Sequence, residues 1–311
     1  MLQTTLQRSF SCSGIGLHSG KPVSVTCRPA PANTGIVFMV ETPEGFQHIT
    51  LGASAVMATE LATTLGNGKA SVSTVEHLLA ALRGLGIDNV EVLTQSEIPI
   101  LDGSAAEFAA RIAEAGIRHY NAYRKVLRVT KPIELRDGRR YICAYPVNTP
   151  GAFRVNYFID FPHPVIGQQQ FSLDVTPAKF QRVASSRTFG FLRDVEYLRS
   201  KGLARGGSMD NAIVLDDTRV LNPEGLHRPD EFVRHKVLDF IGDMGMAPLP
   251  LQGNFTVACS GHQFNNVFLH KLEEENALEE LVLTNPDGLS SQTPMPHATY
   301  ASPLAGGLAL A

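Results

Sequence analysis

The sequence has no tryptophan, only four cysteines and no surplus of basic residues. Its 27 lysines and arginines face 30 aspartates and glutamates, which gives a formal net charge of −3. Binding to nucleic acid generally needs excess cations that neutralise phosphates, so this balance argues against that function. The cysteines stand singly along the chain, which excludes the dense disulfide framework of small secreted domains and predicts reduced, buried thiols.

Long apolar runs are also missing. The first 20 residues contain no stretch that could form the core of a signal peptide, and no uninterrupted apolar run elsewhere is long enough to span a bilayer. We therefore predict a cytoplasmic protein without a transmembrane segment. At roughly 100–200 residues per domain, a chain of 311 residues is expected to form two domains.

The order of predicted elements suggests two similar halves. Residues 1–124 read as antiparallel strands, then a helix over 73–85, a strand and a second helix, and the same pattern restarts in residues 125–285 and closes with a helix over 263–281. Aligning His77 with His235 places a glycine seven residues later in both helices, which is a weak sign of an internal repeat. We predict an α+β fold, with domains at 1–124 and 125–285 and a disordered tail at 286–311.

Three titratable residues share one face of a predicted helix. His235 and Asp239 are four residues apart, and Asp243 lies one turn further on. This spacing suits two ligands of one metal ion, although an ordinary surface pair of histidine and aspartate is an alternative. Three such groups on a helix that otherwise supplies apolar residues to the core favour a functional role.

Glu76 and His77 permit two interpretations. Ser73 and Glu76 match a capping box, in which the glutamate side chain would accept a hydrogen bond from the Ser73 amide. Alternatively, the pair matches a general base beside a metal ligand, as in zinc hydrolases. Local sequence leaves both open.

Two further residues are ambiguous on local grounds. His262 follows a glycine at a strand-to-helix junction, where a surface or capping histidine is more usual than a catalytic one. Thr188 could present its hydroxyl to a site or belong to an ordinary polar turn. Only the fold can bring either residue near the face of His235 and Asp239.

Taken together, the motifs resemble the UDP-3-O-acyl-N-acetylglucosamine deacetylases, a family of zinc amidases that act in lipid A synthesis in Gram-negative bacteria. The resemblance runs in order from about residue 4 to residue 283. The matching motifs are Thr74-Val-Glu-His-Leu78, Gly86-Ile-Asp-Asn89, Ile98-Pro-Ile-Leu-Asp-Gly-Ser104, Ser186-Arg-Thr-Phe-Gly-Phe191, Glu231-Phe-Val-Arg-His-Lys236, Asp239-Phe-Ile-Gly-Asp243 and Ser260-Gly-His262.

The resemblance implies a role for each matching residue and one Zn²⁺ per chain. The metal ligands would be His77, His235 and Asp239. Proton transfer and oxyanion stabilisation would involve Glu76 as general base, His262 as general acid, Asp243 as the partner of that histidine, Thr188 as the oxyanion donor and Lys236 as a cation on the substrate side. The family fold is two similar domains, each a sheet carrying two helices, packed face to face with the active site between them.

The resemblance also implies a UDP-linked acylated N-acetylglucosamine as substrate. An insertion at about 189–214 would form an apolar tunnel for the acyl chain, and Tyr157 stands where the family often has a phenylalanine against the uracil ring. The tail looks like the apolar termini that deliver some relatives to an ATP-dependent protease. The expected tunnel residues are Phe189, Phe191, Leu192, Val195, Gly207, Ser208, Ala212 and Val214.

Two alternatives remain open. A non-catalytic binding module of similar architecture would carry basic faces and no metal, and the charge balance disfavours it. A zinc hydrolase acting on a different acylated amino sugar would share the reaction and differ only in substrate.

Overall fold

The computed structural model describes residues 1–284 and has a mixed α+β architecture. The predicted disordered tail at 286–311, with its proposed contact to a protease, lies outside the described residues. No helix within 1–284 combines the length and apolar character needed to cross a membrane.

The first half contains nine strands and two helices, which follow one another in the predicted order. The strands are β1 (Leu2–Leu6), β2 (Phe10–Ile15), β3 (Pro22–Pro29), β4 (Ile36–Thr42), β5 (Gly45–Thr50), β6 (Val56–Ala58), β7 (Thr64–Gly66), β8 (Ser71–Val72) and β9 (Val90–Thr94). The helices are α1 (Glu76–Gly84), which precedes β9, and α2 (Ala106–Ala115), which follows it.

The second half contains nine strands and four helices. The strands are β10 (Ile117–Val129), β11 (Ile133–Asp137), β12 (Arg140–Tyr145), β13 (Phe153–Phe161), β14 (Gly167–Asp174), β15 (Phe189–Phe191), β16 (Ile213–Leu215), β17 (Leu251–Ala258) and β18 (Leu278–Leu283). The helices are α3 (Pro177–Ala184), α4 (Leu192–Ser200), α5 (Glu231–Met244) and α6 (His262–Glu274).

The two halves repeat one topology, which confirms the weak sign of repetition in the sequence. In the first half the strand order is β2-β3-β9-β4-β5, and in the second the matching order is β11-β12-β17-β13-β14. In each case the central strand pairs antiparallel with one neighbour and parallel with the other. A helix precedes each central strand and another follows it, so α1 corresponds to α5 and α2 to α6.

Helices α1 and α5 cross at close range, and a glycine permits the contact. A Cβ atom built on Gly242 would lie 2.1 Å from the carbonyl oxygen of Glu76, a separation that no side chain could accept. Both helices are almost entirely buried along their length. The crossing therefore brings the polar residues of the two halves together inside the molecule.

Strand β10 runs without a break across the predicted domain boundary at residue 124. Its first part pairs with β1, and its last part pairs with β18 and β17. The strand thus carries the chain directly from one half to the other, and the division into 1–124 and 125–285 stays a prediction.

The helix predicted over 263–281 is too long. Helix α6 ends at Glu274, and Asn276 adopts a positive φ of 51°, which a continuing helix cannot contain. The chain then forms β18, which pairs antiparallel with β10. The apolar residues of 278–283 therefore belong to a strand whose partner lies about 150 residues earlier in the chain.

Candidate metal centre and active site

Three of the predicted ligands meet at the crossing of α1 and α5. His77 lies on α1, while His235 and Asp239 lie one turn apart on α5, and one ligand atom from each falls within 4.8 Å of the others. The Asp239 Oδ1 atom is 3.2 Å from Nε2 of His235 and 3.5 Å from Nε2 of His77. All three residues are at most 4% exposed, so the alternative of a surface histidine–aspartate pair is wrong.

The three residues fit a bound cation. Within residues 1–284, Asp239 Oδ1 is buried without a hydrogen-bond donor, a costly state for a carboxylate oxygen unless a cation satisfies it. The other oxygen, Oδ2, accepts a hydrogen bond from Lys236 Nζ at 2.6 Å. His235 Nδ1 lies 2.9 Å from the Ser186 carbonyl, which can only accept, so that nitrogen carries the proton and Nε2 keeps its lone pair.

The protonation states also suit metal binding. Burial alone would raise the pKa of the Asp239 carboxyl, but the charges of His235 and Lys236 outweigh it and hold that pKa well below its usual range. Burial lowers the pKa of His235 against the opposing effect of Asp239. One carboxylate and two histidine nitrogens form an N₂O donor set of the kind that zinc accepts.

Glu76 begins α1, and its side chain does not form the capping box. Its Oε2 atom accepts a hydrogen bond from the Thr63 amide at 3.0 Å, whereas the Ser73 amide donates to the Ser96 carbonyl. The capping-box interpretation is therefore wrong, because a neighbouring segment already takes the Ser73 N–H. Burial raises the pKa of Glu76, partly offset by His262 and His77, which suits a group that accepts a proton.

His262 and Asp243 form a direct pair. Nδ1 of His262 is 2.9 Å from Asp243 Oδ2, and the same carboxylate accepts hydrogen bonds from the Thr63 hydroxyl at 2.9 Å and from Asn265 Nδ2 at 2.7 Å. Burial opposes the charge on His262, but Asp243 outweighs it, helped by Asp239 and Glu76, and raises the pKa of the imidazole to about 10. The pair is therefore able to hold a proton for donation.

The backbone of Thr188 is hydrogen-bonded to two other parts of the chain. The Thr188 amide donates to the Gly103 carbonyl at 2.7 Å, and its own carbonyl accepts from the Ile213 amide at 2.7 Å. A Cβ on Gly103 would lie 2.1 Å from the Asn211 carbonyl oxygen, so the Asp-Gly-Ser turn packs directly on this segment. Local sequence did not reveal this contact between the turn and the segment.

A buried ion pair fixes the same segment to α5. Arg187 Nε lies 2.9 Å from Glu231 Oε1, and the Arg187 amide donates to the same oxygen at 3.1 Å. Glu231 also accepts from the His227 amide. Arg187 and Glu231 lie in the same sequence motifs as Thr188 and His235, and this is the signal that could have identified them. Thr63 and Asn265 gave no comparable signal.

Lys236 has a partner within the site. Its Nζ atom contacts Asp239 and lies 5.6 Å from the centre of the Phe189 ring, and the Phe189 ring is 6.3 Å from that of His235. The lysine thus touches a ligand and also borders the expected acyl region. Its role as a cation toward substrate stays a prediction.

The expected tunnel residues gather in one region around the pair of strands β15 and β16. Phe189 and Phe191 pack on Phe161, and β15 pairs in parallel with β16. Val195, Ala212 and Val214 are partly exposed, Leu192 is 50% exposed and the Ser208 amide binds the Asn211 side chain. The lining of a passage by these residues stays a prediction.

The tightest glycine in this region is Gly206, and Gly207 has more room. A Cβ on Gly206 would lie 2.3 Å from the Gly16 carbonyl oxygen, whereas one on Gly207 would come no nearer than 3.3 Å, to the Ala204 carbonyl. Gly206 thus packs the insertion against a loop of the first half. The expected contact of Gly207 with an acyl chain stays a prediction.

Tyr157 lies in the core. Its side chain is 1% exposed, its ring packs on Phe240 and its hydroxyl donates to the Ser260 carbonyl at 2.9 Å. Strand β13 turns this residue toward α5, so the ring offers no open face to a uracil in this structure. The expected nucleotide contact at Tyr157 is therefore corrected to a packing role.

Comparison with known proteins agrees with the geometry. A sequence profile of the family described as UDP-3-O-acyl N-acetylglycosamine deacetylase (LpxC) matches residues 3–274. The chain belongs to this family.

Named relatives align with this chain over nearly their whole length. A UDP-3-O-acyl-N-acetylglucosamine deacetylase of Nitratidesulfovibrio vulgaris is 57% identical over 279 residues, which cover 89% of this chain and 90% of the relative. Proteins with the same name from Lawsonia intracellularis and Oleidesulfovibrio alaskensis are 55% and 52% identical. Their alignments cover 91% and 97% of this chain and 92% and 98% of the relatives, respectively.

Proposed function

We propose that this chain is a zinc-dependent deacetylase that removes the N-acetyl group from UDP-3-O-acyl-N-acetylglucosamine in lipid A synthesis. The observation that carries the proposal is the meeting of His77, His235 and Asp239 beside Glu76 and the Asp243–His262 pair. Membership of the family and the names of close relatives support the substrate.

The side chains divide the reaction between them. Zinc held by the three ligands would supply Lewis acidity that polarises the acetyl carbonyl and lowers the pKa of a reacting water. Glu76 takes a proton from that water as the oxygen of the water bonds to the acetyl carbon. His262 gives its proton to the amide nitrogen as the C–N bond breaks, leaving acetate and a free amine. The Thr188 hydroxyl stabilises the oxyanion between these events.

The insertion at 189–214 suits the acyl chain of this substrate. The Phe189 ring at the start of this insertion borders Lys236 and His235, so an alkyl chain could bind beside the reacting amide. Each buried methylene would contribute about 0.8 kcal/mol to binding. Residues 1–124 and 125–285 would then act as two domains that share one site.

A cytoplasmic location is part of the proposal. All four cysteines are unpaired thiols, and three of them are buried. Unpaired thiols of this kind are typical of a reducing compartment. The formal charge of −3 gives no reason to propose nucleic acid as a partner.

Release of acetate from UDP-3-O-acyl-N-acetylglucosamine by the purified, zinc-loaded protein tests the function. We expect turnover by the wild-type chain and a rate lower by roughly 10²–10⁴ in Glu76→Ala, with the metal retained. Turnover of another acylated amino sugar, without turnover of the UDP-sugar, would show that the protein is a hydrolase with a different substrate. A metal-free, inactive wild-type protein would indicate a binding module.

A further inference from the structure

Thr63 lies at the point where the two halves of the active site meet. It precedes β7 in the first half and is 1% exposed. Its amide donates to Glu76 Oε2 at 3.0 Å, and its hydroxyl donates to Asp243 Oδ1 at 2.9 Å. One residue therefore binds a carboxylate from α1 and a carboxylate from α5.

The carbonyl of Thr63 is used as well. It accepts a hydrogen bond from the amide of Val75, the residue immediately before α1, at 3.4 Å. All three polar groups of Thr63 thus have partners, two on the segment that starts α1 and one on α5. A β-branched residue suits such a position, because threonine has few accessible χ1 rotamers and its hydroxyl direction is well defined.

We propose that Thr63 is a positioning residue that sets the general base Glu76 relative to the Asp243–His262 pair. The inference rests on the proposed function, since it assigns the two carboxylates their roles in amide hydrolysis. Thr63 acts through other residues and need not touch the substrate.

The hydrogen bonds explain how the positioning would work. Glu76 Oε2 is held by the Thr63 amide, and Oε1 accepts no hydrogen bond from residues 1–284, so it is the oxygen left to receive a proton. Asp243 accepts a hydrogen bond from the Thr63 hydroxyl on Oδ1 and one from Asn265 Nδ2 on Oδ2. These two bonds fix the plane of its carboxylate. That plane in turn orients the His262 ring through Nδ1, and leaves Nε2 to face the leaving group.

Substitution by valine separates the two contacts. Thr63→Val keeps the shape of the side chain and the amide that binds Glu76, but it removes the hydroxyl donor to Asp243. Thr63→Ser keeps the hydroxyl and loses only a methyl group. Thr64→Val is a matched control, because the Thr64 hydroxyl has no hydrogen-bond partner among the residues that the structure describes.

Steady-state kinetics and metal content of the purified, zinc-loaded variants test the proposal. For Thr63→Val we expect kcat to fall by about 10–100-fold, as is usual when an outer partner of a site residue is lost, with zinc retained. KM should stay within about twofold, because the change affects the chemical step more than ground-state binding. Thr63→Ser should recover most of kcat, and Thr64→Val should equal the wild type.

Several outcomes would overturn the inference. Wild-type kcat in Thr63→Val would show that the hydroxyl does not position Asp243. A loss in Thr63→Ser as large as that in Thr63→Val would assign the effect to the methyl group and to packing, as would a Thr63→Val protein that has lost its zinc or its cooperative melting. An inactive wild-type chain would instead contradict the proposed function, so the two failures are distinguishable.

Discussion

Helices α1 and α5 occupy equivalent places in the two halves, yet they contribute different groups to the site. Helix α1 carries one candidate ligand and the proposed general base, His77 and Glu76, both in its first turn. Helix α5 carries two candidate ligands and the partner of the proposed acid along three successive turns. Equivalent helices of the two halves thus meet at one crossing, and each would contribute a separate part of the proposed chemistry.

The segments that precede these helices differ in the same way. In the first half, β6, β7 and β8 lie between the sheet and α1, and this segment carries Thr63. In the second half, α3, β15, α4 and β16 occupy the corresponding position and carry Thr188. Each half therefore carries one threonine of interest in an equivalent connection: Thr63 binds two carboxylates, and Thr188 is the proposed oxyanion donor.

The two segments also differ in burial. Thr63 lies in a buried contact between the halves, whereas α4 contains no buried residue and exposes Leu192 and Tyr197. The first connection supports the reacting groups, and the second has exposed apolar side chains available to an alkyl chain. This contrast suggests that catalysis and acyl recognition can be separated by mutation.

The largest effect is expected at the proposed general acid. His262→Ala should lower kcat/KM by roughly 10²–10⁴ with zinc retained, because one positioned proton donor is lost. Asp243 raises the pKa of His262, so the protonated form persists to higher pH and the rate should fall as pH rises through that pKa. Asp243→Asn should move this fall in rate, the basic limb of the pH–rate profile, to lower pH.

A pH–rate profile of kcat/KM for the three proteins measures these changes. His119→Ala, on the exposed part of β10, serves as a control and should keep the wild-type profile. An unchanged basic limb in His262→Ala would assign that limb to another group, for which Lys236 would be the first candidate.

The same pair should make a pH-dependent contribution to folding in the metal-free protein. Because the folded-state pKa of His262 is raised from 6.5 to about 10, the stabilisation is fully present below about pH 6.5 and is lost as the pH rises toward 10. Denaturant unfolding of the chelator-treated wild type and of Asp243→Asn across this range measures the effect. Equal pH dependence in both proteins would show that the pair does not contribute.

A smaller effect is expected where the two halves touch. Gly242→Ala introduces a methyl group against the Glu76 carbonyl, so we expect the free energy of unfolding to fall by about 1–3 kcal/mol through overpacking. Gly52→Ala is the control, because its Cβ would have no neighbour closer than 3.9 Å. Denaturant unfolding measures both, and equal stability of the two variants would mean that α1 and α5 have room to separate.

The smallest and most selective effect is expected in the insertion. Gly207→Val should lower kcat/KM on the long-acyl substrate more than on a deacylated analogue. A Cβ at this position would make one tight contact, 3.3 Å from the Ala204 carbonyl oxygen, which a shift of a few tenths of an ångström relieves, whereas the branched side chain would obstruct the acyl chain. Steady-state kinetics on the two substrates measure the ratio. Equal losses of kcat/KM on both substrates would show that the substitution disturbs the fold and does not act by obstructing the acyl passage.

Sequence periodicity indicated a shared polar face on α5 because its residues are local, and the family resemblance supplied their roles. His235, Asp239 and Asp243 repeat every four residues, and a helix places such residues on one face whatever surrounds it. Local reasoning could not decide the role of Glu76, since the capping-box pattern is present in the sequence while the Ser73 amide binds the Ser96 carbonyl in the structure. It also overextended α6, whose end depends on the conformation of Asn276 and on the pairing of β18 with β10.

Long-range contacts explain what the sequence could not reveal. Thr63 and Asp243 are 180 residues apart, and Gly103 meets Thr188 only because the insertion folds back on the first half. The expected nucleotide contact of Tyr157 failed for a different reason. A match by sequence position does not show which face of β13 the side chain occupies. The family resemblance predicted the architecture well, and the contacts between halves required the structure.

The central claim is that α1 and α5 together hold one metal ion. Elemental analysis of purified wild-type protein, His77→Ala and His235→Ala tests it most directly, because each variant removes a ligand from a different half of the chain. We expect about one zinc per chain in the wild type and little in either variant, since an N₂O site that loses one nitrogen ligand binds zinc far more weakly. Full zinc content in both variants would contradict the account.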